Sequence, residues 1–209
     1  MIVAVILAAG TSSRLGRPKQ LLQLGEQTVI EHVVDRVLVS SVDHVLVVLG
    51  HGADAIEAVL QGRDIAIVRN PEYRDGQGTS LVAGIKAAQD LLEVSPDQRN
   101  AVVMMLVDQP STRSTVIDRV ISAWSESDAP IALARYGTHR SHPVIFDERV
   151  LPELLEVTGD EGARSILRRY GDKVVEVDSG EADLPPDIDT EEAYRHMVQN
   201  WSAQEPNAP

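Results

Sequence analysis

Through the first two thirds of the chain, short apolar runs alternate with stretches of helical periodicity, and this rhythm limits the fold more than any other feature. The runs at 2–7, 44–49, 65–68 and 101–107 are nearly continuous, as strands are when both faces of a sheet are covered. Between the first two, Val29, Ile30, Val33, Val34, Val37 and Leu38 recur at three and four residues and so lie along one side of a helix. Further helices are predicted over 54–60, 80–92 and 115–124. Strands alternating with helices imply parallel strands joined by crossover helices, an α/β class with a mostly parallel sheet. After Ser125 the rhythm changes. Strands predicted at 131–136 and 143–146 flank a polar stretch at 137–142, the pattern of a hairpin or of an excursion toward a substrate. Short helices at 150–155 and 163–170, a strand at 173–177 and a last helix over 190–200 follow. One domain over 1–200 is expected, with the polar, proline-bearing 201–209 as a disordered tail.

Composition removes several function classes. The 209 residues are 43% apolar and 24% charged, which is globular composition. No apolar run approaches the roughly 20 residues of a membrane span, so no membrane partner is expected. The apolar start lacks a basic flank and a cleavage pattern, and reads as a strand rather than a targeting signal. The absence of cysteine excludes disulfides, thiolate metal sites and cysteine nucleophiles, and fits a cytoplasmic location. A formal charge of -13 argues against nucleic acid, whose backbone is bound by clustered cations. Any phosphate ligand must then be held locally.

The segment placed to do so follows the first strand: Leu7-Ala8-Ala9-Gly10-Thr11-Ser12-Ser13-Arg14-Leu15-Gly16-Arg17-Pro18-Lys19. Small residues let backbone N–H groups surround an anion, and Arg14 and Lys19 supply charge. A loop at the carboxyl end of a parallel strand also stands where such sheets bind ligands. It is not a Rossmann fingerprint, since Ser12 stands where a glycine is required, nor a Walker A loop, since Gly16-Arg17-Pro18-Lys19 replaces Gly-Lys-Ser/Thr. Composition alone would favour an ordinary surface loop rich in turn residues. Asp108, at the end of the fourth apolar run, reads either as a metal ligand or as a turn residue before the next helix. Asp189, in Asp187-Ile188-Asp189-Thr190-Glu191-Glu192, has the same two readings.

The loop resembles, residue for residue, the signature of the nucleotidyltransferases that include molybdenum cofactor cytidylyltransferase, the MocA-like enzymes. That resemblance implies a Rossmann-like three-layer α/β/α nucleotidyltransferase fold, with Leu7 through Ser13 wrapping a triphosphate and Arg14 and Lys19 on its phosphates. Ala8-Ala9-Gly10 is similar to the cytidylyl form of the loop, which implies CTP; guanylyl relatives typically carry Ala-Gly-Gly. Asp108-Gln109-Pro110 and the 187–192 segment resemble the family's acidic segments, implying Mg2+ held by Asp108 and Asp189, with Arg14, Lys19 and Asp108 catalytic. The 69–81 segment resembles the family's second nucleotide loop, implying Asn70, Gly78 and Ser80 as nucleotide-binding, with Thr79 or Ser80 also read as a helix cap. His142-Pro143-Val144-Ile145-Phe146 resembles the segment facing the acceptor, although Ser141 replaces a glycine. If that position needs positive φ, serine is strained there. His139 and His142 lack a third ligand for a metal. Asp160, in a matching 159–164 segment, is expected to cap a helix. Matched segments run from residue 4 to residue 192.

The implied reaction joins cytidylate to the phosphate of molybdopterin or the molybdenum cofactor and releases pyrophosphate. Two other readings stay open. The chain could use GTP or another phosphorylated acceptor, or it could be a non-catalytic maturation factor that serves a client molybdoenzyme. Retention of Arg14, Lys19, Asp108 and Asp189 together favours catalysis.

Overall fold

The computed structural model describes residues 1–92 and 99–204. From the N-terminus, β1 (Ile2–Ala8) leads through a long loop and a 3-10 turn to a small hairpin, β2 (Gln23–Leu24) and β3 (Gln27–Thr28). Then come α1 (Val29–Leu38), β4 (His44–Leu49), α2 (Ala53–Val59), β5 (Ala66–Arg69), α3 (Gln77–Leu92), β6 (Ala101–Leu106) and α4 (Ser114–Ser125). The remainder is β7 (Ile131–Tyr136), β8 (His139–Asp147), α5 (Leu151–Leu154), α6 (Arg164–Tyr170), β9 (Val174–Asp178) and α7 (Glu191–Gln204). Seven strands form one sheet in the order β5-β4-β1-β6-β8-β7-β9, parallel throughout except for β8.

Alternation along the strands distributes side chains to two cores. Ala4 and Ile6 of β1 pack with α1, α2 and α4, while Val3 and Val5 pack with α3, α5 and α6. The result is the expected three-layer α/β/α arrangement with a mostly parallel sheet. α1 is anchored at its start by Glu31, whose carboxylate accepts from the backbone N–H of Thr28 at 2.8 Å.

Several boundaries differ from expectation for physical reasons. β5 is an edge strand and only half-buried, so its apolar run does not mark two covered faces. α3 begins at Gln77 rather than residue 80 because its cap comes from far away in sequence: Asp160 accepts from Gln77 N–H at 3.2 Å. Thr79 and Ser80 therefore do not cap it. Gly78 N–H donates to Gly159 at 2.8 Å, and a Cβ at Gly78 would lie 2.9 Å from that same carbonyl oxygen, so the approach needs glycine. The predicted strand 143–146 extends to His139–Asp147. It runs antiparallel because the two-residue turn at Gly137 (φ +55°) and Thr138 is too short for a crossover. α7 continues past residue 200, since Trp201 is buried in the core with Met197. Of the tail expected over 201–209, residues 205–209 lie outside those described. Among the described residues no helix is long and apolar enough to cross a membrane.

Candidate active site

The chain runs outward from β1 to β4 and β5 and then returns to the other side of β1 as β6. The order of connection therefore reverses between β1 and β6, and a crevice opens beyond their carboxyl ends. The glycine-rich loop leaves β1 there, and Asp108 lies just past β6.

The loop is shaped by its own polar groups. Ser12 (φ +52°) is the single non-glycine residue with left-handed backbone among those described. Its carbonyl accepts from the N–H groups of Leu15 (2.9 Å) and Gly16 (3.1 Å), and its hydroxyl accepts from Lys19 N–H at 3.0 Å. Gln20 is fully buried beneath the loop and donates from Nε2 to the carbonyls of Ala8 (2.7 Å) and Gly10 (3.1 Å). Those contacts turn the remaining edge of the loop toward a cavity of about 760 Å³.

Leu7, Ala9, Gly10, Thr11 and Ser13 line that cavity. So do Arg14, Lys19, Ser80 and Asp108. Four other residues expected at the nucleotide stand behind its wall or serve the scaffold. Ala8 is buried with its carbonyl held by Gln20, and the Ser12 hydroxyl is spent within the loop. Asn70 is buried, donating to the hydroxyls of Thr79 and Ser80 at 2.9 Å and accepting from Glu72 N–H at 3.0 Å; it orients the start of α3. Gly78 gives its N–H to Gly159.

Asp108 and Asp189 come together although 81 positions separate them in sequence. Ile188 N–H donates to the Asp108 carbonyl at 3.0 Å and its side chain is fully buried in the core, which sets Asp187 and Asp189 on either side of the anchor. Neither aspartate is spent on a helix. α4 has no side-chain cap, and α7 is capped by Thr190, which accepts from Ala193 N–H at 3.1 Å. Lys19 Nζ instead donates to Asp108 Oδ2 (2.7 Å) and to Asp189 Oδ1 (2.9 Å), while Arg14 reaches Asp189 Oδ2 at 3.0 Å. Burial works against the Lys19 charge, yet Asp108 and Asp189 hold its pKa above the ordinary lysine value. The hydrogen bond from Lys19 and the nearby Arg14 hold Asp189 below the ordinary carboxylate value. Asp187 is pushed up, by burial first and then by its acidic neighbours, although Gln109 donates to it at 2.8 Å.

The donor set tells which cation could be held. Asp108 Oδ1 is buried without a hydrogen-bond partner, an oxygen oriented but unused. Among the described residues no group of three or more His, Cys, Asp or Glu could hold a metal ion. A pair of carboxylates without a protein cage suits a hard cation that completes its shell with ligand phosphates and water.

A second cavity, of about 280 Å³, adjoins the first and shares Leu7, Gln77 and Leu106 with it. Its floor is apolar, with Met104, Leu133, Val144 and Phe146, and its rim carries Gln109, Ser141, His142, Arg164 and Asp187. His142 reaches the rim through a bulge. Leu133 pairs with Val144 but Ala134 pairs with Ser141, so His142 and Pro143 face no residue of β7. Tyr136 Oη donates to the His142 carbonyl at 3.1 Å, which satisfies the group the bulge releases. Burial lowers the His142 pKa to about 4, with Arg164 adding to the effect and Asp108 opposing it. The strain anticipated at Ser141 is absent, because its backbone is not left-handed; its hydroxyl accepts from Gln109 at 3.2 Å. His139 is exposed at the start of β8 and does not reach the cavity. Nothing in the sequence marks Gln20 or Arg74, which also lines the larger cavity, because a polar side chain after Pro-Lys or in a loop reads as solvated.

The MobA-like NTP transferase domain family matches residues 4–174. Nicotine blue oxidoreductase of Paenarthrobacter nicotinovorans is 33% identical over 207 residues, covering 93% of this chain and 95% of that one. A nucleotidyl transferase from Methanothermobacter thermautotroptrophicus superposes with a TM-score of 0.81 at 25% identity, covering 98% and 99% of the two chains. Rv0371C from Mycobacterium tuberculosis H37Rv, solved in complex with manganese, gives a TM-score of 0.75 at 29% identity over 95% and 98%. The matched stretch holds the glycine-rich loop, Asp108 and His142 in one crevice, and the chain belongs to the MobA-like NTP transferase family, with the fold and the loop of a nucleotidyltransferase.

Proposed function

We propose that this chain is a Mg2+-dependent cytidylyltransferase that transfers CMP from CTP to the phosphate of molybdopterin or the molybdenum cofactor. The observation that carries the reading is the Arg14–Asp189–Lys19–Asp108 cluster, three of whose members line a triphosphate-sized cavity that adjoins a smaller, apolar-floored one. The Ala8-Ala9-Gly10 form of the loop supports CTP. Manganese bound to Rv0371C supports a divalent cation, which Asp108 and Asp189 would hold. Once bound, it would neutralise charge at the α-phosphate.

A phosphate monoester oxygen of the acceptor attacks the α-phosphorus of CTP. The bond from that phosphorus to the oxygen bridging to the β-phosphate breaks, and pyrophosphate leaves with the electron pair. A phosphate monoester is already largely dianionic at neutral pH, its second pKa being about 6, so no general base is required. The chain's own contribution is placement and charge. The N–H groups of the loop and the cations Arg14 and Lys19 take the leaving phosphates, and His142, neutral at pH 7, offers hydrogen bonds to the acceptor without adding charge.

The 33% identity to nicotine blue oxidoreductase favours a second reading, an oxidoreductase, for which NADPH serves as the assayed reductant. One experiment separates the two. Pyrophosphate release is measured with CTP and with GTP, with and without molybdopterin, alongside loss of NADPH absorbance. Release that needs CTP and molybdopterin together is expected. Equal release with GTP refutes the base assignment, and NADPH consumption without pyrophosphate refutes the transferase reading.

A further inference from the structure

The two cavities differ in how their cations are committed. In the larger one Lys19 and Arg14 are bound to Asp108 and Asp189. In the smaller one Arg140 is bound to Glu176 at 2.5 Å. Arg164 also lines the smaller cavity, and among the described residues it forms no ion pair and no side-chain hydrogen bond. It stands at the start of α6, opposite the apolar floor of Met104, Leu133 and Phe146. A guanidinium left without a carboxylate is unusual here, because the same rim carries Asp187 and Glu161, and Glu161 pairs with Arg168 instead, at 2.8 Å.

From this geometry we infer that Arg164 is the anion anchor of the smaller cavity, and that the cavity takes a compact, flat, phosphorylated ring with its phosphate monoester on Arg164. The inference deepens the acceptor side of the proposed function and rests on that reading for both the phosphate and the ring. The volume, about 280 Å³, limits the ring system, and the apolar floor favours a flat heterocycle over a sugar. A dianion cannot settle beside Asp187 and Glu161 without a counter-charge on its own side, and among the described residues no other cation on this rim is free to supply one. The planar fork of arginine fits a phosphate with two parallel hydrogen bonds. His142 and Arg164 line the same cavity, which shares Leu7, Gln77 and Leu106 with the one Asp108 lines, so a phosphate on Arg164 stands beside the reaction centre.

The test uses the full chain and phenyl phosphate, a minimal aromatic phosphate monoester, titrated by calorimetry beside phenol and inorganic phosphate. Wild-type protein should bind phenyl phosphate, and Arg164→Ala should weaken it at least tenfold while the CTP-induced rise in melting temperature is kept. Arg164→Lys should restore part of the loss, because it returns the charge without the fork, and Arg164→Gln should not. No binding by wild type, or equal binding by wild type and Arg164→Ala with an unchanged melting temperature, overturns the inference. Arg164-dependent binding of phenyl phosphate in a protein that does not use molybdopterin sustains the anchor and refutes the proposed acceptor. Turnover of molybdopterin unaffected by Arg164→Ala does the reverse.

Discussion

Both cavities are walled by β1 and β6, yet they are made of different material. The larger is lined mainly by the loops after β1, β4, β5 and β6, all at the carboxyl ends of parallel strands, and the first of them contributes one contiguous run of small residues. The smaller is built from side chains that project from antiparallel β8, from α6 and from the stretch before α7. A pocket lined by such a run appears in sequence as a motif. A pocket built from side chains gathers single residues from distant segments and leaves no run to read. On the proposed reading, the nucleotide half of this molecule would be generic and the acceptor half particular, and substitutions should respect that division.

The largest effect is expected where the two halves meet. Asp108→Ala removes both the oxygen that accepts from Lys19 and the unpartnered oxygen proposed to face the cation, and turnover should fall by about two to three orders of magnitude. The fold should hold, because the substitution takes away a polar group at the rim rather than core packing, and melting temperature should move little. Steady-state pyrophosphate release and thermal melting test this together. A loss smaller than tenfold would mean the cavities do not share a reaction centre at Asp108.

A smaller, paired effect tests whether the halves are separable. Gln20→Ala leaves the carbonyls of Ala8 and Gly10 unsatisfied under the glycine-rich loop, a cost of about 1–3 kcal/mol. KM for CTP should rise while acceptor affinity is kept. His142→Ala should do the converse, lowering kcat/KM for the acceptor by about 1–3 kcal/mol and sparing the CTP-induced thermal shift. If either variant damages both ligands equally, the two cavities act as one.

The same division explains what could be read in advance. β1, β4, β6 and the stripe on α1 were legible because each is specified by its own periodicity, which local residues alone determine. Asp108 and Asp189 were legible as candidates, but their pairing depends on Ile188, a buried residue whose backbone bond to Asp108 spans 80 positions. Asp160 was legible as a helix cap, but not that the helix is α3, since a helix start is sought in its own preceding residues. The bulge that brings His142 to the rim was hidden for a related reason: it exists only as a mismatch between β7 and β8, and neither strand carries it alone. The end of α7 was misplaced because Trp201 stands in a polar stretch, and only tertiary packing explains its burial.

The smallest effect distinguishes a packed His142 from a solvated one, and so tests whether the acceptor cavity is preorganised by its walls. The ordinary histidine pKa of 6.5 drops to about 4 in the folded chain, chiefly through burial. Between those values the unfolded chain binds a proton that the folded chain refuses. Stability contributed by the neutral ring is therefore full above pH 6.5, falls as pH drops toward about 4, and changes no further below that. His142→Gln keeps a hydrogen-bonding side chain of similar length but cannot titrate. Its urea midpoint should accordingly fall less between pH 7 and pH 5 than that of the wild type, whatever the other acidic groups contribute, since they are common to both proteins. Parallel midpoint curves over that interval would show that the ring is as easily protonated folded as unfolded. The rim of the smaller cavity would then be open to water, and the neutral hydrogen-bonding role assigned to His142 would fail with it.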